Sequence, residues 1–236
     1  MAAPLHDLQH NDATSLPAQW LSAIFLTSAA SLLLFDAIRL ASAWSLGAPL
    51  AVGGIVAGWL LADFFSGLVH WAADTWFRVD TPVIGRRFLH PFRVHHVNPS
   101  DILGRGFLDL NGDVAMLTLP LFATVAWMPL DTPAGQGLGL LLLATAGWVL
   151  PTNQIHQWAH RAQPPRAVRL LQKLGLVLSQ RAHAIHHRDP AGGHYCITSG
   201  RCNRVLAHVD FYRRCERLIQ RSTGLVPREE GIDVLR

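Results

Sequence analysis

Charge is scarce in this chain. Only 15% of its residues are Asp, Glu, Lys or Arg and 50% are apolar, whereas a soluble domain carries about a quarter charged residues. Glutamate is nearly missing: Glu216, Glu229 and Glu230 are the only three. That excludes the carboxylate-rich di-iron bundle, which needs Glu from several helices and Glu-x-x-His pairs. His-Glu-x-x-His does not occur either, which removes the usual helix-borne zinc site with its Glu base. Cysteine is limited to Cys196, Cys202 and Cys215, an odd number without a CxxC pair. Neither a disulfide framework nor a zinc ribbon is indicated, and reduced thiols fit. No Lys or Arg precedes Arg39, so the first apolar run lacks the basic start of a signal peptide.

Long apolar runs take the place of charge. Four of them, over about 20–40, 47–70, 112–130 and 135–158, reach or approach the roughly 20 residues needed to cross a ~30 Å hydrocarbon core. Of the twenty Lys and Arg residues, five lie between His70 and Asn111 and fourteen follow His160. Four spans put those two regions on one side, and basic loops stay cytoplasmic. The sequence pI of about 9.5 then reflects orientation and anionic headgroups rather than nucleic acid, since no basic stripe is interleaved with exposed aromatics.

The reading is one domain over 18–222, flanked by a disordered tail at 1–17 and a C-terminal tail at 223–236. His6 and His10 fall in the first tail as solvated residues. Thr81-Pro82, Pro91, Asn98-Pro99 and Asn111-Gly112-Asp113 read as breaks or turns. After Pro164-Pro165, Val168, Leu170, Leu171, Leu174, Leu176, Val177 and Leu178 alternate with Arg166, Arg169 and Lys173, as in a helix lying in the membrane interface. Arg204–Ser222 reads as mostly helical. The fold class is therefore an all-α membrane protein, with about four transmembrane helices, a cytoplasmic histidine-rich cap and an interfacial amphipathic helix.

Histidine is the residue in excess, with thirteen copies. His183, His186 and His187 stand at i, i+3 and i+4, so one helix face carries all three. His156 and His160 form an i, i+4 pair, His95-His96 a tandem, and His70 ends the second span. All eight lie on one predicted side of the membrane, and eight imidazoles exceed what one tetrahedral ion takes. They suit two irons with positions open for oxygen. Asp74, one turn beyond His70, could ligate or orient a ligand imidazole, and the orienting role is the one expected. Asp63, inside the second span, is either a helix–helix hydrogen-bonding group or a partner of the ligands. His90, His194 and His208 lack a His partner at helical spacing and read as structural.

Several stretches then carry a resemblance. They are Asp63–Trp76 (DFFSGLVHWAADTW), Pro91–His96 (PFRVHH), Asn111-Gly112-Asp113, Thr152–His160 (TNQIHQWAH), the His183 cluster and Tyr195-Cys196-Ile197-Thr198. With them the chain resembles the Kua, or plasmanylethanolamine desaturase-like, lipid desaturase family, from roughly the second span to the C-terminal helix. Animal members have a further His where this chain has Ala182, and another where it has Ala191.

The resemblance implies a membrane oxygenase holding two iron ions (Fe2+/Fe3+) on His70, His95, His96, His156, His160, His183, His186 and His187. It would use O2 and an external carrier such as cytochrome b5 or ferredoxin. The substrate implied is a 1-O-alkyl-2-acyl-glycerophosphoethanolamine and the product its vinyl ether. Arg93, Arg181 or Arg188 would clamp the phosphate. The alternatives are an acyl-lipid desaturase or, in another class, a non-catalytic metal- or haem-binding membrane protein. A bacterial inner membrane is expected rather than the endoplasmic reticulum.

Overall fold

The structure, a computed structural model, describes residues 15–82, 84–188 and 193–228. His6, His10 and most of the expected N-terminal tail lie outside the described residues, as do Ala191 and the end of the C-terminal tail. The described chain is helical. Helix α1 is Leu16–Ala43 and α2 is Ala48–Thr75; a π-helical turn, Gly85–Leu89, leads into α3, His90–Val97. Then come α4 (Asp101–Gly104), α5 (Phe107–Trp127), α6 (Pro133–Val149) and α7 (Thr152–His160). The remaining four are α8 (Arg166–Lys173), α9 (Gln180–Arg188), α10 (Arg201–His208) and α11 (Phe211–Thr223).

Among the described residues, four segments are long and apolar enough to cross a membrane: α1, α2, α5, and α6 continued through α7. Their ends follow local rules. Ser15 Oγ accepts from Ala18 N and Pro17 sits in the first turn of α1, where a proline loses no needed hydrogen bond. Thr132 and Pro133 open α6 in the same way. Pro151 separates α6 from α7, so the fourth apolar segment is broken near its histidine-bearing end.

α1 packs mainly on α5 and α2 mainly on α6. Both contacts are set by missing side chains. A Cβ on Gly58 of α2 would collide with Ala144 and the Thr145 backbone, and one on Gly112 of α5 with Ser22 of α1. Small residues at such crossings let backbones approach, which is how helices associate where water supplies no hydrophobic drive. At one end of the bundle, Arg39 donates to the carbonyls of Val125, Ala126 and Met128 (2.8, 2.8 and 3.2 Å). It thereby adds a donor to the carbonyls around the end of α5, where a helix C-terminus leaves acceptors in excess. The other end carries the C-termini of α2 and α7 and the shorter helices.

Three expectations need correction. Asn111-Gly112-Asp113 is not a turn but the second turn of α5. Its Gly is a packing residue, and Asn111 Nδ2 bonds the Phe107 carbonyl (2.9 Å). Pro91 does not break the chain; it occupies the first turn of α3. The Arg204–Ser222 stretch, by contrast, is mostly helical as expected, in two helices parted at Asp210, whose φ of 52° is left-handed. The segment after Pro165 is helical only to Lys173 and then irregular, with Gly175 at φ 68°. Val168, Val177 and Leu178 pack inward, while Leu170 and Leu174 face outward. Trp59 Nε1 donates to the Leu176 carbonyl (3.0 Å), holding this segment against α2.

Candidate metal centre

Four helices deliver the eight histidines to one place. Their ring nitrogens, with one carboxylate, form two adjacent groups: His95, His156, His160, His183 and His187 in one, His70, Asp74, His96 and His186 in the other. Within each group the potential ligand atoms all lie within 4.8 Å of one another. Helical geometry sorts them. Residues at i, i+4 share a face, so His156/His160 and His183/His187 enter the first group together, and His70/Asp74 the second. Adjacent residues diverge by about 100° around the axis. The tandem His95-His96 and the tandem His186-His187 therefore each give one ligand to either group, and α3 and α9 bridge the two.

The packing of the nitrogens tests whether a cation fits. His183 Nε2 lies 2.8 Å from His156 Nε2, 2.7 Å from His160 Nε2 and 3.0 Å from His187 Nε2. A ring nitrogen carries at most one proton, so it donates to one neighbour at most. The remaining lone pairs point at each other, an arrangement that a shared cation relieves. In the second group Asp74 Oδ2 faces His96 Nε2 at 3.0 Å, His70 Nε2 at 3.2 Å and His186 Nε2 at 3.8 Å. Asp74 thus converges on the same point as the imidazoles, at distances that fit either ligating beside them or orienting them. Imidazole-rich sets with one carboxylate suit iron.

Protonation favours the same use. Burial, reinforced by the surrounding imidazoles, holds His95, His183 and His186 far below the ordinary histidine range. Burial with neighbours His160, His96 and His70 brings His187 down to about 3. These rings are neutral at physiological pH, the form that ligates. His70 Nδ1 donates to the Tyr195 carbonyl (3.1 Å), which fixes its tautomer and leaves Nε2 for a metal.

Around the groups, polar side chains hold the helices in register. Asp63 stands outside both groups. Its carboxylate accepts from Ser199 N (2.6 Å), Gly200 N (2.8 Å) and Cys202 N (2.9 Å). It therefore ties the start of α10 to α2, in the manner of a helix cap. Arg93 is corrected from its expected phosphate role: it is 2% exposed, and its Nη2 donates to the Ala73 and Phe77 carbonyls, both at 2.6 Å. A guanidinium spent on the end of α2 cannot meet a lipid headgroup, and its effect is to seat α3. Arg181 and Arg188 are exposed on α9.

His90, His194 and His208 join neither group. Sequence reasoning missed Gln157, which joins α7 to the Ile102 and Arg105 carbonyls (2.8 and 3.1 Å). It also missed Arg228, which donates to the Thr75 and Asp74 carbonyls at the end of α2. Gln157 beside His156 was a readable signal; nothing local marked Arg228.

A lipid desaturase domain model matches residues 59–230. Plasmanylethanolamine desaturase of Myxococcus xanthus is 36% identical over 95% of this chain and 82% of that protein. Plasmanylethanolamine desaturase 1 of Mus musculus is 41% identical over 78% of this chain and 70% of its own length. Fatty acid desaturase 4, chloroplastic, of Arabidopsis thaliana is 34% identical over 73% of this chain and 52% of its own. No solved structure matches.

Proposed function

The chain belongs to the lipid desaturase family, and on that premise we propose that it forms the vinyl ether bond of plasmalogens from 1-O-alkyl-2-acyl-glycerophosphoethanolamine. The observation that carries the reading is the pair of adjacent ligand groups, one of five imidazoles and one of three imidazoles with Asp74. Two iron ions there would supply O2 activation and the one-electron chemistry needed to break an unactivated C–H bond, with electrons from an external carrier such as cytochrome b5 or ferredoxin.

The chain's own residues do the placing. Tyr195 fixes the ring of His70, Arg93 fixes α3 on α2, and Gln157 fixes α7, so the ligands are set before a lipid arrives. The reacting carbon must come within a few ångströms of the metals for proximity to help. The groups stand where α2 and α7 end, close to the plane of the headgroups. Arg181 and Arg188, exposed on the ligand-bearing α9, are the arginines free of the buried role that Arg93 takes, and we assign them the phosphate. We place the site on the cytoplasmic side of a bacterial inner membrane, with α8 in the interface, from the clustering of Lys and Arg at that end.

The relative named a fatty acid desaturase supports a second reading, desaturation of an acyl chain. Lipid mass spectrometry separates the two. The chain is expressed in plasmalogen-free cells supplied with an alkylglycerol, beside His187→Ala. Acid-labile ethanolamine lipids that vanish in the variant support the vinyl ether reaction. A new acyl double bond without them supports the second reading. No change in either lipid, with iron bound and electrons supplied, overturns both.

A further inference from the structure

A run of neighbouring aromatic rings leads from the second ligand group to Trp76. The Tyr195 ring lies 5.2 Å from that of His186 and 5.8 Å from that of His70. Tyr212 follows at 4.8 Å from Tyr195, and Trp71 at 5.6 Å from Tyr212. Trp76 stands 6.0 Å beyond Trp71 and is half-buried. Such separations are those of ordinary aromatic packing, and packing accounts for the contacts. It does not account for the composition. The chain has only two tyrosines, and both are in this run. Glu216 is the only glutamate before residue 229, and its Oε1 accepts the Trp71 indole N–H at 2.9 Å. A scarce residue type is thus spent on giving a buried indole a carboxylate partner.

We propose that Tyr195, Tyr212 and Trp71 form a one-electron relay that drains oxidising equivalents from the metal pair when no lipid C–H bond is in reach, with Glu216 as the proton acceptor. The relay rests on the reading of the two groups as an iron site. In its net step Trp71 gives up one electron, which passes through the rings of Tyr212 and Tyr195 and reduces the oxidised metal pair by one. The indole N–H bond breaks at the same time, its proton going to Glu216 Oε1, so Trp71 is left as a neutral radical. The external one-electron carrier that serves the desaturation restores the electron, and Glu216 returns the proton. Electron loss from an indole makes its N–H strongly acidic, so a carboxylate already bonded to it needs no rearrangement. Without this outlet the groups next to the metals, the imidazoles of His70 and His186 first, are the ones oxidised.

The full chain, purified in lipid nanodiscs, is loaded with Fe(II) without oxygen and its iron content measured. It is then mixed with O2 in the absence of lipid substrate and frozen for electron paramagnetic resonance, using ring-deuterated tryptophan to identify the radical. Digestion and mass spectrometry locate the oxidised residues. The relay predicts a neutral tryptophan radical that is lost in Trp71→Phe, and oxygen incorporation that moves onto His70 and His186 in that variant. Glu216→Gln should convert the signal to the protonated indole cation or abolish it. If Trp71→Phe does not hold iron, Glu216→Gln decides alone. Bound iron and O2 consumption with no tryptophan radical, or with one that both substitutions leave unchanged, overturns the relay and leaves the metal site standing. Failure to bind iron overturns the metal site and the relay with it.

Discussion

Asp74 is the residue that makes the two ligand groups unequal. It adds a carboxylate to a site otherwise built of imidazoles, so an ion bound beside it would carry less net charge than one in the five-histidine group. Asp74→Ala should lower bound iron from two ions per chain to one, because the five-histidine group keeps all its donors; metal analysis of the purified variant checks this. Two ions still bound would make Asp74 an orienting group. The histidines also give the metal-free chain a pH dependence whose sign follows from linkage. His187 titrates near 3 when folded against 6.5 as its ordinary value. Between those values the unfolded chain binds more protons, so stability falls as pH drops from about 6.5 toward 3. The melting temperature of the metal-free protein should therefore decline over that window, and His187→Gln should flatten the decline. At this scale the sequence was most legible, since i, i+4 spacing fixes which face a ligand shares whatever the tertiary fold. Arg93 was not legible: an arginine beside two histidines looks the same whether it meets a phosphate or two carbonyls.

Elements were legible where composition decides and misread where packing does. Four apolar runs became four long helical segments, through Pro120 within α5 and with a break at Pro151 in the fourth. Asn111-Gly112-Asp113 has turn chemistry, yet α5 runs through it, since Gly112 is needed bare against Ser22 and the long helix satisfies the backbone. The same reasoning gives a prediction for α2. Gly58→Val should cost about 1–3 kcal/mol or more, as overpacked cores do, because its Cβ branch meets Ala144 and the Thr145 backbone. Gly53→Ala, with nothing within 4 Å of its Cβ position, should cost nothing measurable. Thermal unfolding in detergent compares the two, and equal melting would mean that α2 and α6 are not held at that glycine. Asp63 belongs to this scale too. Removing its cap of the α10 start in Asp63→Ala should cost about 0.5–2 kcal/mol. It should also loosen iron at His70, whose Nδ1 is held by the Tyr195 carbonyl on the anchored segment; a higher iron off-rate to a chelator is the readout.

The whole molecule is asymmetric across the membrane, and that asymmetry sets where its chemistry takes place. Along α2, His70 stands on the order of 33 Å from the helix start at 1.5 Å per residue, against a hydrocarbon core of ~30 Å. If α2 enters the hydrocarbon near its start, the ligand groups would lie at the headgroup plane of one leaflet, where a lipid's glycerol-proximal carbons also lie. The opposite end holds Arg39, bound to the α5 carbonyls, and the exposed turn at Asp131. Fourteen of twenty Lys and Arg residues follow His160, so under the proposed orientation the positive-inside bias would turn the histidine end toward the cytoplasm. A membrane-impermeant maleimide applied to intact cells should then label Asp131→Cys and leave Ser222→Cys unlabelled until the membrane is opened. Cys196, Cys202 and Cys215 sit on the protected side under this orientation and stay silent in the same assay. The reverse pattern would turn the molecule over and put the ligand groups at the outer leaflet, beyond the reach of any cytoplasmic electron carrier; the reducing partner would then have to be sought outside.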